Sequence, residues 1–263
     1  MRTKIAVHAE PDIAPFARSI TSSLPQSFEL GTSEADFVVL TGTGDWDLRA
    51  AEQLAGAGRT VVVHDPQPIE PDRLAMLNDH LNGGRVVLSE TYAGNPALAQ
   101  LLDRGAATLE ATHTIATFGV VELDVSSGLL QQLRILRVLG VENITIDDDQ
   151  RRGRTALVTA RGSRSGREVL LRLQVAQSSS VRPSHTVRAY SAEGIATIEL
   201  PASDTARAAI VTLTGPEGAL RLPDIYEHAH RATWRQAHQG HGQGAPADQL
   251  LAFEEDLRVL ASS

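Results

Sequence analysis

Over its first ninety residues the chain alternates short, fully apolar runs with segments spaced like helices, and this pattern constrains the fold most. Lys4–His8, Asp36–Leu40, Thr60–Val63 and Arg85–Leu88 are strand candidates, and Ser27–Leu30 is a weaker one. They lack the strict apolar–polar alternation of a strand with one wet face. Between them, Ile13–Ser23 places Ile13, Phe16, Ala17 and Ile20 at helical intervals. Asp45–Gly56 gathers Leu48, Ala51 and Leu54 on one side, and Pro71–Leu81 also reads as a helix. Strands that are apolar on both faces must be covered on both faces. The pattern therefore predicts a doubly wound parallel sheet.

After residue 92 the pattern changes. Asn95–Arg104 is a helix opened by Asn-Pro, Thr108–Phe118 alternates as a strand, and Gly128–Leu139 carries Leu129, Leu130, Leu133, Leu136 and Leu139 on an apolar side. Gly140 follows as a helix stop. Strands are then expected at Ala156–Ala160, Glu168–Gln174, Ser184–Tyr190, Gly194–Leu200 and Ala208–Thr214, divided by turn clusters such as 162–166. Close spacing with short turns predicts a largely antiparallel sheet. The end reads as a helix at Ile225–His238, a glycine-rich loop at Gln239–Ala247 and a helix at Asp248–Ala261. The fold class expected is α/β: a Rossmann-like N-terminal domain over 1–92, then an α+β domain with an open sheet over 93–263. The last helix, 248–261, is a candidate to pack back on the first domain.

Composition narrows the chemistry. A net charge of −8 argues against a nucleic-acid surface, which needs clustered cations. The absence of cysteine excludes disulfides, thiolate nucleophiles and zinc–thiolate sites. No stretch approaches the roughly 20 apolar residues that span a bilayer, and no signal-peptide core precedes the first strand. No membrane association is expected, and the expected location is the cytoplasm. Lys4 is the only lysine; every other fixed cation is arginine, which seldom moves protons.

Three stretches carry a resemblance to the glucose–fructose oxidoreductase/inositol dehydrogenase family (Gfo/Idh/MocA). Residues 51–66 resemble its A-L-x-A-G-K-H-V-x-x-E-K-P segment, Gly128–Gly140 its G-x-H-x-x-D-x-x-R-W-L-x-G helix, and 244–257 its terminal loop and helix. The resemblance implies a nicotinamide-dependent sugar oxidoreductase, yet this chain departs from it at each functional position. Ala9, Pro11 and Ala14 stand where the family has the glycines of its phosphate loop, G-x-G-x-x-G, and Glu10 and Asp12 add negative charge there. The family's catalytic lysine falls on Asp65, its histidine on Leu130 and its aspartate on Leu133. The resemblance thus implies a degenerate member with no catalytic or cofactor-binding residues. It would act as a partner, regulatory or ligand-binding subunit, with no cofactor expected. The alternative is an NAD- or NADP-dependent oxidoreductase on a sugar or cyclitol, with His64, Asp65 or Tyr92 moving protons. The open sheet, by the same resemblance, would join a homo-oligomer or an active paralogue.

The remaining candidates have plainer readings beside them. His64 and Asp65, with Glu90 and Tyr92, sit where a parallel sheet binds ligands and form a candidate ligand cleft; for His64-Asp65 a turn is favoured, and Glu90 and Tyr92 read equally as rim residues. Glu29 reads first as a solvated strand residue and second as a ribose-binding acid. His228 and His230 are two apart, the wrong spacing for a chelating pair on one helix. With Trp234, His238 and His241 they read as a solvated helix end, and no metal is expected. Asp147-Asp148-Asp149 lacks calcium-loop spacing and reads as a charged surface turn. Ser126-Ser127-Gly128 has no G-x-S-x-G context.

Overall fold

The computed structural model describes residues 4–55, 58–81, 83–240 and 248–262. Its strands are β1 (Ile5–Ala9), β2 (Phe28–Leu30), β3 (Phe37–Thr41), β4 (Thr60–His64), β5 (Arg85–Ser89), β6 (Thr114–Val121), β7 (Glu142–Arg152), β8 (Thr155–Arg164), β9 (Arg167–Gln177), β10 (Ser184–Tyr190), β11 (Ile195–Pro201), β12 (Ile210–Gly215) and β13 (Gly218–Arg221). Its helices are α1 (Ala14–Ser23), α2 (Trp46–Leu54), α3 (Pro71–Asp79), α4 (Pro96–Arg104), α5 (Ala106–Glu110), α6 (Val125–Val138), α7 (Ala229–Gln239) and α8 (Asp248–Ala261). These divide into two compact units: Met1–Gly94 with Ala229–Leu257, and Asn95–His228 with Arg258–Ser263.

In the first unit β1 to β5 form a sheet of order β2-β1-β3-β4-β5, parallel at every pairing. Phe37, Val38, Val39 and Leu40 of β3 and Val61, Val62 and Val63 of β4 are all buried, as covering on both faces requires. On one face α1 and α7 bring Ala17, Ile20, Trp234 and Ala237 against Val7, Phe28, Phe37 and Val39. Burying a side chain such as Phe28 or Phe37 contributes roughly 1.5–3 kcal/mol. Elsewhere in the unit Trp46 of α2 meets Phe253 of α8 edge-on at 6.1 Å. Strand order reverses between β1 and β3, and ligands of such sheets usually lie beyond the carboxyl ends of the strands at that point.

The second unit is built on an eight-stranded sheet, β13-β12-β11-β10-β6-β9-β8-β7, antiparallel except where β6 runs parallel to β9. Alternation sorts its faces. Val169, Leu171, Leu173 and Val175 of β9 are buried, whereas Leu170 is 52% exposed. Helix α6, capped by Asp124 through the amide of Ser127, lies on the buried face. It approaches so closely at Gly128 that an added Cβ would stand 2.6 Å from Val175 Cγ1. On the other face Ala116, Phe118, Arg172, Gln174, Thr186, Arg188 and Tyr190 line a shallow depression of about 370 Å³.

The fold class and the sheet types follow the sequence reading, with local corrections. The expected strand Thr108–Phe118 divides: Ala106–Glu110 turns as a helix that buries Leu109, and the strand starts at Thr114. Ala-Ala-Thr-Leu-Glu contains strong helix formers, which outweigh the weak alternation. Asp147-Asp148-Asp149 is no turn but part of the edge strand β7, with a register shift between Ile146 and Asp148. Asp147 pairs with Arg161 at 2.8 Å and Asp149 with Arg151 at 2.7 Å; charge on an edge strand also discourages pairing with other chains. The helix expected from Ile225 begins at Ala229, because Ile225 bridges to Ala209 instead. The hairpin strand β13 was not anticipated.

Candidate functional site

The two parallel strands β4 and β5 end level, with His64 opposite Ser89. Beyond them the chain turns tightly. The Asp65 amide donates to the Ser89 carbonyl at 2.9 Å, and the Gly42 amide donates to the His64 carbonyl at 2.7 Å. Asp65 lies in the left-handed region at φ +46°, a conformation Asp tolerates better than most residues. Pro66 follows and fixes the exit from the turn.

This turn aims the Asp65 carboxylate at the segment after β5. Asp65 Oδ1 accepts from the Thr91 amide at 2.7 Å and Oδ2 from the Thr91 hydroxyl at 2.8 Å. Helix α7 adds His230 in its first turn, with no exposed surface. The ring's Nδ1 is 2.8 Å from Ser89 Oγ, and its Nε2 is 3.0 Å from Thr91 Oγ1 and 3.3 Å from Asp65 Oδ2. His64 stacks on His230 at 3.9 Å between centroids, with its Nδ1 3.4 Å from Asp65 Oδ2. Phe16 stands edge-on to both imidazoles, at 4.4 and 5.2 Å. Burial works to raise the Asp65 carboxyl pKa. The neighbouring His230 ring, then His64 and the Thr91 amide, hold it well below the ordinary carboxylate range instead.

Of the four residues singled out in the sequence, His64 and Asp65 join this cluster. The side chains of Ser89 and Thr91 supply contacts to it, and the candidates Glu90 and Tyr92 occupy the positions between and after them. Glu90 is half-buried and Tyr92 is buried. The solvated-helix-end reading fails at His230, which is fully buried. Its partners come from β5 and the β4 exit, so spacing within its own helix carried no signal. His228 Nε2 lies 2.8 Å from the Ser203 carbonyl, His238 packs against Phe28 at 5.3 Å, and His241 falls outside the described residues.

Beyond the carboxyl ends of β1 and β3, where such a sheet would seat a dinucleotide, the chain places its own side chains. Glu10 fills the exit of β1: Oε2 accepts from the Thr41 amide at 3.1 Å, and Oε1 is 2.8 Å from Arg49 Nε. Arg49 also donates to the carbonyls of Thr41 and Thr43. At the start of α1 the Ile13 amide is taken by the Glu10 carbonyl and the Ala14 amide by the Pro11 carbonyl. Pro11 and Pro15 have no amide hydrogen. A diphosphate bound at a helix N-terminus needs free donors and positive potential. Here it meets a carboxylate, two prolines and two amides already bonded within the turn, so these residues do not fit the group.

No protein-family model and no curated protein matches the chain. Solved structures do match in fold. An oxidoreductase from Sinorhizobium meliloti superposes with a TM-score of 0.74 at 14% identity, covering 99% of this chain and 96% of the other. A 3-ketoreductase from Actinomadura kijaniata, solved as a variant in complex with TDP-benzene and NADP, gives 0.73 at 13% identity, with coverage of 99% and 96%. The UDP-N-acetylglucosamine 3-dehydrogenase of Acidithiobacillus ferrooxidans gives 0.73 at 10%, covering 99% and 97%. The chain therefore has the fold of these oxidoreductases. No helix among the described residues is long and apolar enough to cross a membrane.

Proposed function

We propose that this chain binds a sugar-like ligand on an oxidoreductase scaffold without transferring hydride. One observation carries the conclusion: the Glu10 carboxylate, tied to Thr41 and Arg49, stands where a dinucleotide needs donors for its diphosphate. The ligand's hydroxyls would be read by the half-buried His64, by Asp65, which stays ionised at neutral pH, and by Glu90. A carboxylate with spare lone pairs beside an imidazole suits a polyol, whose hydroxyls both donate and accept. The open sheet of the second unit exposes Phe118 (47%) and Leu170 (52%). Such apolar exposure supports pairing with a second copy or a related oxidoreductase.

The solved neighbours favour a second reading, an NAD(P)-dependent oxidoreductase on a sugar with altered proton machinery. One is a 3-ketoreductase solved with TDP-benzene and NADP, and another is a UDP-N-acetylglucosamine 3-dehydrogenase. In that reading His64 and Asp65 would hold and release the proton of the reacting hydroxyl. Calorimetry with a panel of sugars and cyclitols, with and without NADPH, separates the two. Binding that is indifferent to NADPH is expected. Binding that requires NADPH, or turnover of any panel member, would replace the first reading by the second.

A further inference from the structure

On the open face of the eight-stranded sheet, two arginines flank one alanine. Strand register sets this arrangement: Ala116 of β6 stands between Arg188 of β10 and Arg172 of β9. Adjacent strands lie about 4.8 Å apart, which puts the two arginine Cα atoms roughly 10 Å apart. The alanine methyl between them is too short to fill that gap. Both arginines and Ala116 line the depression of about 370 Å³ on this face.

Other arginines of the same sheet are matched by carboxylates. Arg161, Arg151 and Arg221 hold Asp147, Asp149 and Asp224 at 2.8, 2.7 and 2.8 Å. Arg172 and Arg188 hold none among the described residues, in a chain whose net charge is −8. Among the described residues no carboxylate lines the depression. Glu199, on β11 opposite Thr186, pairs with neither arginine. The neighbouring ranks bring aromatic rings. Phe118 lies between Thr186 and Gln174 on one side, and Tyr190 stands opposite Thr114 on the other.

We propose that Arg172 and Arg188 bind the phosphate of a small phosphate monoester, with its organic part against Phe118 and Tyr190. A guanidinium fork matches phosphate oxygens in pairs. One fork satisfies a carboxylate, whereas a phosphate monoester brings close to two charges and three acceptor oxygens, enough for both arginines. The Thr186 hydroxyl and the Gln174 amide add donors in the rank of Phe118. The two rings offer apolar surface to an organic group, which inorganic phosphate lacks. A second copy seated on this face is the competing occupant. The assignment does not rest on the sugar reading of the β4 end, since it uses none of those residues.

The test titrates the full chain with phenyl phosphate in low-salt buffer, followed by calorimetry and light scattering. Saturable binding of one equivalent is expected. Arg172→Gln and Arg188→Gln should each weaken it at least about 10-fold, as loss of a charge-assisted hydrogen-bond partner requires. Arg221→Gln, which removes an arginine of the same sheet outside the depression, should leave it unchanged. Ala116→Leu, which fills the floor without touching charge, should abolish it. Inorganic phosphate and benzoate should each bind more weakly than phenyl phosphate. No saturable binding at millimolar phenyl phosphate would overturn the proposal, as would binding unchanged in both arginine variants or an equal loss in Arg221→Gln. A dimer that excludes phenyl phosphate would overturn it in favour of a second copy on this face. Should Ala116→Leu fail to fold, the arginine variants, at exposed positions, decide alone.

Discussion

Arg49 Nε lies 2.8 Å from Glu10 Oε1, and this ion pair closes the end of the first strand against the third. With the Thr41 amide on Oε2, the chain satisfies with its own side chain the position where the fold normally seats an anion. Both partners are a quarter to a third exposed, so the pair is screened by solvent.

Glu10→Ala should therefore lower stability modestly, by about 1 kcal/mol in urea denaturation. It should not create NADPH binding, because Pro11 and Pro15 still withhold amides and the Ile13 and Ala14 amides remain committed. A loss of several kcal/mol, or NADPH binding gained by this one change, would show that the pair has been misread.

Gly42 underlies the site from the neighbouring strand end. A Cβ there would collide with the Asp65 carbonyl oxygen and the Pro66 Cα, both backbone atoms that cannot rotate away. Gly42→Ala should cost about 1–3 kcal/mol by displacing the 64–66 turn. An unperturbed melting temperature would contradict this packing.

The sheets were legible in the sequence because burial on two faces and burial on one leave different patterns. Phe37–Leu40 is apolar throughout, whereas Val169–Val175 alternates. The site was half legible. His64 and Asp65 stood out because they follow a buried strand and precede a proline. His230 did not, since its partners Ser89 and Asp65 lie well over a hundred residues earlier and its own helix gives it no chelating neighbour. Ser89 and Thr91 were missed for a simpler reason: small hydroxyl residues after a strand look like ordinary turn formers. The acidic run 147–149 misled because three aspartates suggest a turn, while an edge strand tolerates charge that a central strand would not.

His185 offers a pH-dependent check on the second unit. It is 1% exposed, its Nε2 lies 2.9 Å from Gln131 Oε1, and burial pushes its pKa down from 6.5 to about 3. Between those values the unfolded chain binds a proton that the folded chain does not, so stability rises with pH. Its contribution is complete above about pH 6.5 and is lost as pH falls toward 3, at up to about 1.4 kcal/mol per pH unit. Urea midpoints of His185→Gln should show a shallower acid decline than wild type. Identical slopes would mean that His185 protonates in the folded state at its ordinary pKa.

We propose that Glu10 and Arg49 close the end of β1 to a dinucleotide. Titrating the folded chain with NADPH and NADH, followed by calorimetry and by the cofactor's own fluorescence, tests it most directly. The account predicts no heat of binding and no change in emission up to millimolar cofactor. Saturable binding in the micromolar range would contradict it.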